Sequence, residues 1–154
     1  MSKKNLILMG LVFLAYFGLW LGSRIPMAWV LMTSSMVYVD GVPTIQFHMM
    51  EDADWPMYWL NTTDPIYREK PEVEVEITLA VLNNGGSGDL RVGCKIIDAH
   101  TGEVVKDVSD VVYVVGLKPV PVRVHLKTTL PTGRDYRFAP YTQPAHPIWA
   151  YIFS

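Results

Sequence analysis

The side chains best suited to chemistry in this chain gather in its first third. His48, Met49, Met50, Glu51 and Asp52, with Asp54 and Met57 behind them, put an imidazole, soft thioethers and hard carboxylates close together. Thioethers and imidazole suit Cu(I), whereas carboxylates suit Ca²⁺ or Mg²⁺. The carboxylates lack the alternating ligand spacing of a calcium loop. A blue-copper centre needs two His, a Cys and usually a Met near one loop. Here five residues separate Cys94 from His100, and no methionine follows Met57. The cluster therefore reads first as a Met-rich contact patch with an acidic tip, because methionine adapts to many surfaces. No cofactor is expected, and copper handling outside the cytoplasm stands as an alternative function. Ser35, in the run TSSM over 33–36, is the one candidate nucleophile. A serine needs a positioned base to take its proton, and sequence spacing brings neither His48 nor His125 to it.

What holds these residues in place is set at the N-terminus. Residues 5–23 read NLILMGLVFLAYFGLWLGS, without a single charge. As a helix rising 1.5 Å per residue, that run spans about 28 Å, close to the ~30 Å hydrocarbon core of a bilayer. A cleaved signal peptide carries small residues at −3 and −1 of its cut site, but cutting after Gly22 or Ser23 puts Trp20 or Leu21 at −3. The expectation is an uncleaved single-pass anchor over 1–24. Lys3 and Lys4 outweigh Arg24, which places the N-terminus in the cytoplasm and the C-terminal domain outside it. With no Asp, Glu or His inside it, the helix carries no sign of transport or proton relay.

The 154 residues and formal net charge of −2 leave room for this anchor and one domain of about 110 to 130 residues. Cys94 is the only cysteine, so no intrachain disulfide can form, and its setting in RVGCKII reads as a buried strand thiol. Lys70, Arg91, Lys95, Lys106, Lys118, Arg123 and Lys127 are scattered among acids rather than gathered in a stripe, which argues against nucleic acid as a partner. Residues 25–71 read as an aromatic and Met-rich connector close to the membrane. Pro26 interrupts the helix, with helix or an interfacial segment favoured to about residue 33. A hairpin of 36–39 against 44–49 follows through Asp40-Gly41, and these strands can join the domain beyond.

From Glu72 the period changes to two: Val73, Val75, Ile77, Leu79 and Val81 alternate with Glu72, Glu74, Glu76, Thr78 and Ala80. That alternation marks a half-buried strand. The acidic comb of Glu72, Glu74 and Glu76 reads as the solvated face of an edge strand. Residues 83–89, NNGGSGD, form a turn. Further strand material is expected at 90–96, at 104–105 and then 108–115, and at 120–126, with a short piece at 136–138. Pro121 assigns the 120–126 run to an edge or leaves its N–H side unpaired. The apolar ending IWAYIF demands burial, either as the last strand of the same domain or as a strand donated to a neighbouring chain. The fold class is mainly β: a single N-terminal transmembrane helix followed, over 72–154, by an antiparallel immunoglobulin-like sandwich.

The stretch VEVEITLAVLNNGGSGDLRVGCKIIDAHTGEVVKD, followed by GLKPVPVRVHLKTTLPTG, resembles the immunoglobulin-like or fibronectin-III-like modules of microbial cell-surface proteins, closest to the cell-adhesion-related CARDB-type group. Asn83-Asn84-Gly85, the hairpin over 98–103 and Leu117-Lys118-Pro119 occupy that group's turn positions, while Val120 stands where the group carries glycine. The likeness covers about half the chain and implies a fold, not an activity. The TSSM run also resembles, in part, the Ser-x-Ser-Met segment of type I signal peptidases, in which Ser35 would be the nucleophile. Here Val37-Tyr38 replaces that family's acid-proline pair, and its Gly-Asp strand is missing at the expected distance.

The remaining candidates are contact residues. Trp29, Trp55, Met57, Trp59 and Trp149 supply the large, amphipathic side chains favoured at interfaces. His100 and His125 read as solvent-facing. Asn61-Thr62-Thr63 fits the N-glycosylation acceptor pattern on a surface segment. The function expected is that of a structural or accessory subunit without catalytic activity. Its sandwich would be held at the membrane for contact with other membrane-protein subunits or copies of itself, with the bilayer as partner through residues 5–23. A degenerate membrane serine peptidase is the other alternative.

Overall fold

The computed structural model describes residues 2–46, 58–116 and 120–153. The apolar N-terminal run forms helix α1 (Lys3–Arg24). Ser2 caps it, its side chain accepting the N–H of Asn5 at 3.2 Å, so one of the unpaired donors of the first turn is satisfied. With 22 residues, the helix is about 33 Å long, enough to cross a bilayer. None of its residues is buried, unlike a core helix of similar composition. It ends with Ile25 in an extended conformation, where Pro26 forbids a further turn.

Two antiparallel sheets follow. The first holds β1 (Ala28–Val30), β2 (Met36–Val39), β3 (Val42–Gln46), β5 (Glu72–Asn83) and β8 (Val122–Pro131). The second holds β4 (Tyr58–Asn61), β9 (Asp135–Pro144), β6 (Gly88–Asp98) and β7 (Val104–Val114), in that order. Their inner faces close one core. Val73, Val75, Ile77 and Leu79 of β5 meet Leu90, Val92, Cys94 and Ile96 of β6 within one buried cluster. Each such aliphatic side chain contributes about 1.5–3 kcal/mol relative to exposure.

The period-two strand is present as β5, but its setting differs from the edge expected for the acidic comb. β5 pairs with β8 along 72–81 on one side, and with β2 and β1 on the other. Glu72 and Glu74 are exposed because they face away from the opposite sheet, not because the strand lies at an edge. Among the described strands β8 pairs with β5 alone, so Pro121 does precede an edge strand. The expected hairpin joins the first sheet as β2 and β3, with residues 47–49 outside the described residues. In its Asp40-Gly41 turn both residues have positive φ, 50° and 81°, the geometry that matches hairpin twist and suits glycine. The turn expected at 117–119 also lies outside the described residues.

Three further expectations are corrected. Residues 28–30, favoured as helix or an interfacial segment, form β1 and pair with Leu82 and its neighbours. A 3-10 turn, Met32–Ser34, separates β1 from β2. The short strand material at 136–138 is the start of a ten-residue strand, β9. The apolar tail is neither a last strand nor a donated one: it folds as a short helix, α2 (Ile148–Ile152). A short apolar run carries too little pattern to separate a strand from a buried helical turn. Tyr136, at the start of β9, is fully buried and donates its hydroxyl to the carbonyl of Pro131 at 2.6 Å. This bond has the form of the tyrosine corner found where an immunoglobulin-like sandwich passes from one sheet to the other.

Candidate functional site

The most elaborated place in the molecule is the exit of α1 into the sandwich. β5 runs toward this exit and ends at Asn83, which is 4% exposed. The Asn83 side chain makes four hydrogen bonds. Its Oδ1 accepts the N–H groups of Met27 (3.1 Å) and Gly85 (3.0 Å), and its Nδ2 donates to the carbonyls of Gly86 (3.1 Å) and Val115 (3.2 Å). One side chain thus joins the segment after α1 to the β5–β6 turn and to the end of β7. Backbone bonds complete the joint: Gly86 N–H donates to the Ile25 carbonyl at 2.9 Å, and Asn84 N–H to the Met27 carbonyl at 2.8 Å.

This approach requires glycine. A Cβ on Gly86 would fall closer than 3.0 Å to the Ser23 carbonyl oxygen, and one on Gly85 equally close to that of Ile25. Both neighbours are backbone, which has no flexible end to move aside, so only a residue without Cβ fits. The C-terminal helix reinforces the joint. Tyr151 is buried, and its ring and that of Pro26 both lie against Gly88. Its hydroxyl donates to the Asp89 carbonyl at 2.6 Å and accepts the His146 N–H at 3.0 Å. His146 Nε2 lies 2.9 Å from Asp89 Oδ2, so the chain before α2 is pinned to β6 as well. Beside the joint, residues 25–29, Leu90 and Thr142–Pro144 line an open, mainly apolar groove of about 500 Å³.

At the opposite end the sandwich is polar. Asp98 accepts the N–H groups of His100 (2.8 Å) and Thr101 (3.2 Å). These bonds favour the ionised form and hold its carboxyl below the usual carboxylate range. His100 Nε2 sits 2.9 Å from Asp135 Oδ2. Asp40 is lowered too, first by the N–H of Glu74 and then by Lys70 at 3.0 Å. These contacts close turns.

Ser35 is only 1% exposed, and its hydroxyl is engaged on both sides. It donates to the Leu31 carbonyl at 2.8 Å and accepts the Ala80 N–H at 3.1 Å, so it fastens the 3-10 turn to β5. Neither partner is a base. His125 lies instead against Thr78 at 3.2 Å, exposed at the surface of β8. The residues His48, Met49, Met50, Glu51, Asp52, Trp55 and Met57 lie outside the described residues, as does the side chain of Trp59, whose backbone belongs to β4. Among the described residues no group of three or more His, Cys, Asp or Glu side chains could hold a metal ion. Cys94 is fully buried, and burial pushes its thiol up to about 12, which leaves it without reactive thiolate.

Asn61 is exposed, its side-chain carbonyl accepting the N–H and hydroxyl of Thr63. Trp29 and Trp149 are exposed on either side of the joint. Of the contact residues expected, these two are brought to one end of the molecule. Asn83, Gly85, Gly86 and Tyr151 carry the joint, yet in the sequence they stand out only as a turn and an apolar tail. The one available signal is the glycine pair, since glycine is favoured where backbones approach closely. No protein-family model matches this chain, and no curated protein matches it either.

Proposed function

We propose that this chain is a membrane-anchored accessory or structural subunit without catalytic activity, whose sandwich is held at a fixed attitude on the outer face of a membrane to contact other proteins. The observation that carries this reading is the Asn83 joint. A domain meant only to be tethered needs a flexible linker, whereas here the backbone just after α1 is hydrogen-bonded into the domain at Ile25 and Met27. Such a joint keeps α1 and the sandwich in one orientation, which matters when both contact the same assembly. The same joint favours retention of α1 over its removal as a signal sequence, because the Gly86 turn packs on the carbonyl of Ser23. Lys3 and Lys4 favour a cytoplasmic N-terminus.

The Tyr136 corner and the two-sheet architecture favour kinship with the CARDB-type surface modules, whose members serve as adhesive and spacer domains. Partners are then expected to be neighbouring membrane proteins or further copies of this chain. The test is purification of the full-length protein from its native membrane in mild detergent, followed by mass spectrometry of what accompanies it. Stoichiometric membrane-protein partners, or a defined homo-oligomer, are the expected result. A monomer that carries no partner across several mild detergents overturns the reading.

A further inference from the structure

Outside α1, the exposed aromatic side chains among the described residues are Trp29, Tyr113, Trp149 and Phe153. All four surround the exit of the helix: Trp29 lines the groove beside the joint, and Tyr113 lies by Tyr151 and Ala150 of α2. Exposed Met27, Val115 and Ile148 stand among them, whereas Val42, Ile66, Val104, Val111 and Val120, also exposed, are aliphatic and carry no aromatic ring. Charge runs the other way along the same domain. The positions of β5 that alternate with the core-facing ones read Glu72, Glu74, Glu76, Thr78, Ala80 and Leu82 in order, losing their charge, and at Thr78 and Ala80 their exposure, as the strand nears the joint. The far end carries Asp40, Lys70, Asp98, His100, Arg134 and Asp135, mutually paired.

Helix α2 is built to show its apolar residues outward. Its single buried residue, Tyr151, is latched to Asp89 and His146, while Trp149 is 65% and Phe153 84% exposed. Water does not favour aromatic rings held out in this way. The headgroup layer of a bilayer does, because an amphipathic ring there keeps an apolar body and a polar edge both satisfied. Distance agrees. At 22 residues, α1 exceeds the ~30 Å core by about 3 Å, which leaves Arg24 at its boundary. Pro26 is two residues on, and so at most about 7 Å further along the chain; its ring and that of Tyr151 both lie against Gly88. α1 and α2 are themselves in contact, and Leu21 and Gly22 are the part-buried residues of α1. α2 therefore lies beside the end of α1, at the level of the interfacial layer, which is about 5–7 Å thick on each side.

We propose that α2, with Met27 and Trp29 across the joint, forms an aromatic foot seated in the headgroup layer, a second lipid contact that stops the sandwich from tilting about α1. This proposal rests on the reading of α1 as a membrane anchor. The occupant is lipid rather than a protein groove because α1 itself brings the bilayer surface to this end of the domain.

The test uses the full-length chain in nanodiscs made with lipids brominated near the headgroup or deep in the acyl chain. One variant keeps Trp149 alone (Trp20, Trp29, Trp55 and Trp59→Phe), and a second keeps Trp20 alone, as the probe of the anchor. A third adds Ile66→Trp, at the polar end, to a chain with every native Trp replaced by Phe. The expected result is blue-shifted Trp149 emission that shallow bromines quench, with the Ile66→Trp emission red and unquenched. Quenched Trp20 with red, unquenched Trp149 overturns the foot and leaves the anchor standing. Blue-shifted Trp149 that no bromine quenches means that a protein surface covers it, which also overturns the lipid contact. Unquenched Trp20 overturns the anchor and the foot together.

Discussion

Asn83 Oδ1 accepts the backbone N–H of Met27 at 3.1 Å, three residues beyond the end of the membrane-type helix and 56 residues away in sequence. The bond makes the exit of α1 part of the sandwich, and it shares its acceptor with Gly85.

Replacing Asn83 by Ala removes four hydrogen bonds and leaves N–H and C=O groups unpaired in a largely buried site. At about 1–3 kcal/mol for each buried group left without a partner, and with water reaching some of them, a loss of roughly 2–4 kcal/mol is expected. Urea titration of the full-length protein in detergent, followed by near-UV circular dichroism, measures it. An unchanged midpoint would show that the joint contributes nothing to stability.

Gly86→Ala forces a methyl group against the Ser23 carbonyl oxygen, so the β5–β6 turn and the helix exit must part. Overpacking of this kind costs about 1–3 kcal/mol. The consequence can be read by trypsin: cleavage after the exposed Arg24 should be faster than in the parent protein. Gly22→Ala, where nothing lies within 4 Å of the added Cβ, should leave the rate unchanged.

Tyr136→Phe keeps the ring that fills the core but deletes the bond to the Pro131 carbonyl. The expected loss is about 1 kcal/mol, with the fold retained. A far-UV spectrum that matches the parent, together with a lowered thermal midpoint, is the outcome sought.

Acid should weaken the fold through Asp40 and Asp98. Both carboxyls are held below their unfolded value by backbone N–H donors. Their contribution is therefore full above the unfolded pKa, about 3.9, and is lost as pH falls through the lower folded values. Stability should be flat from neutral pH to about pH 5 and fall below about pH 4. Asp98→Asn, which keeps an acceptor for His100 and Thr101 but cannot titrate, should make that fall shallower in urea midpoints measured across pH.

Legibility from sequence varies from segment to segment, for physical reasons. The strand Glu72–Asn83 is plain because its first residues face the core and away from it in turn, which imposes a period of two. β1 is obscure because three residues carry too little pattern, and their conformation comes from pairing with Leu82 and its neighbours, which are distant in sequence. β9 is visible only at its start: Pro140 and Pro144 hide the strand character of residues that pair with β6. Ser35 resembles a nucleophile because a hydroxyl soon after a long apolar helix has two uses, and only the positions of Leu31 and Ala80 decide between them. The tail's apolar character is evident from its residues, but its helical form is not, and the burial expected of it is met by Tyr151 while Ile148, Trp149 and Phe153 stay exposed.

By itself the sequence determined the long apolar helix, the mainly-β domain after it and the absence of an intrachain disulfide, since these follow from composition and local period. Tertiary structure alone decided that β5 lies inside its sheet, that Asn83 ties the helix exit to two turns, and that Tyr151 draws the tail back onto Gly88 and Asp89. Each of these joins residues far apart in the chain. A local pattern records which face of a segment is apolar, but the partner of a hydrogen bond is set by whatever the folded chain brings within about 3 Å of it.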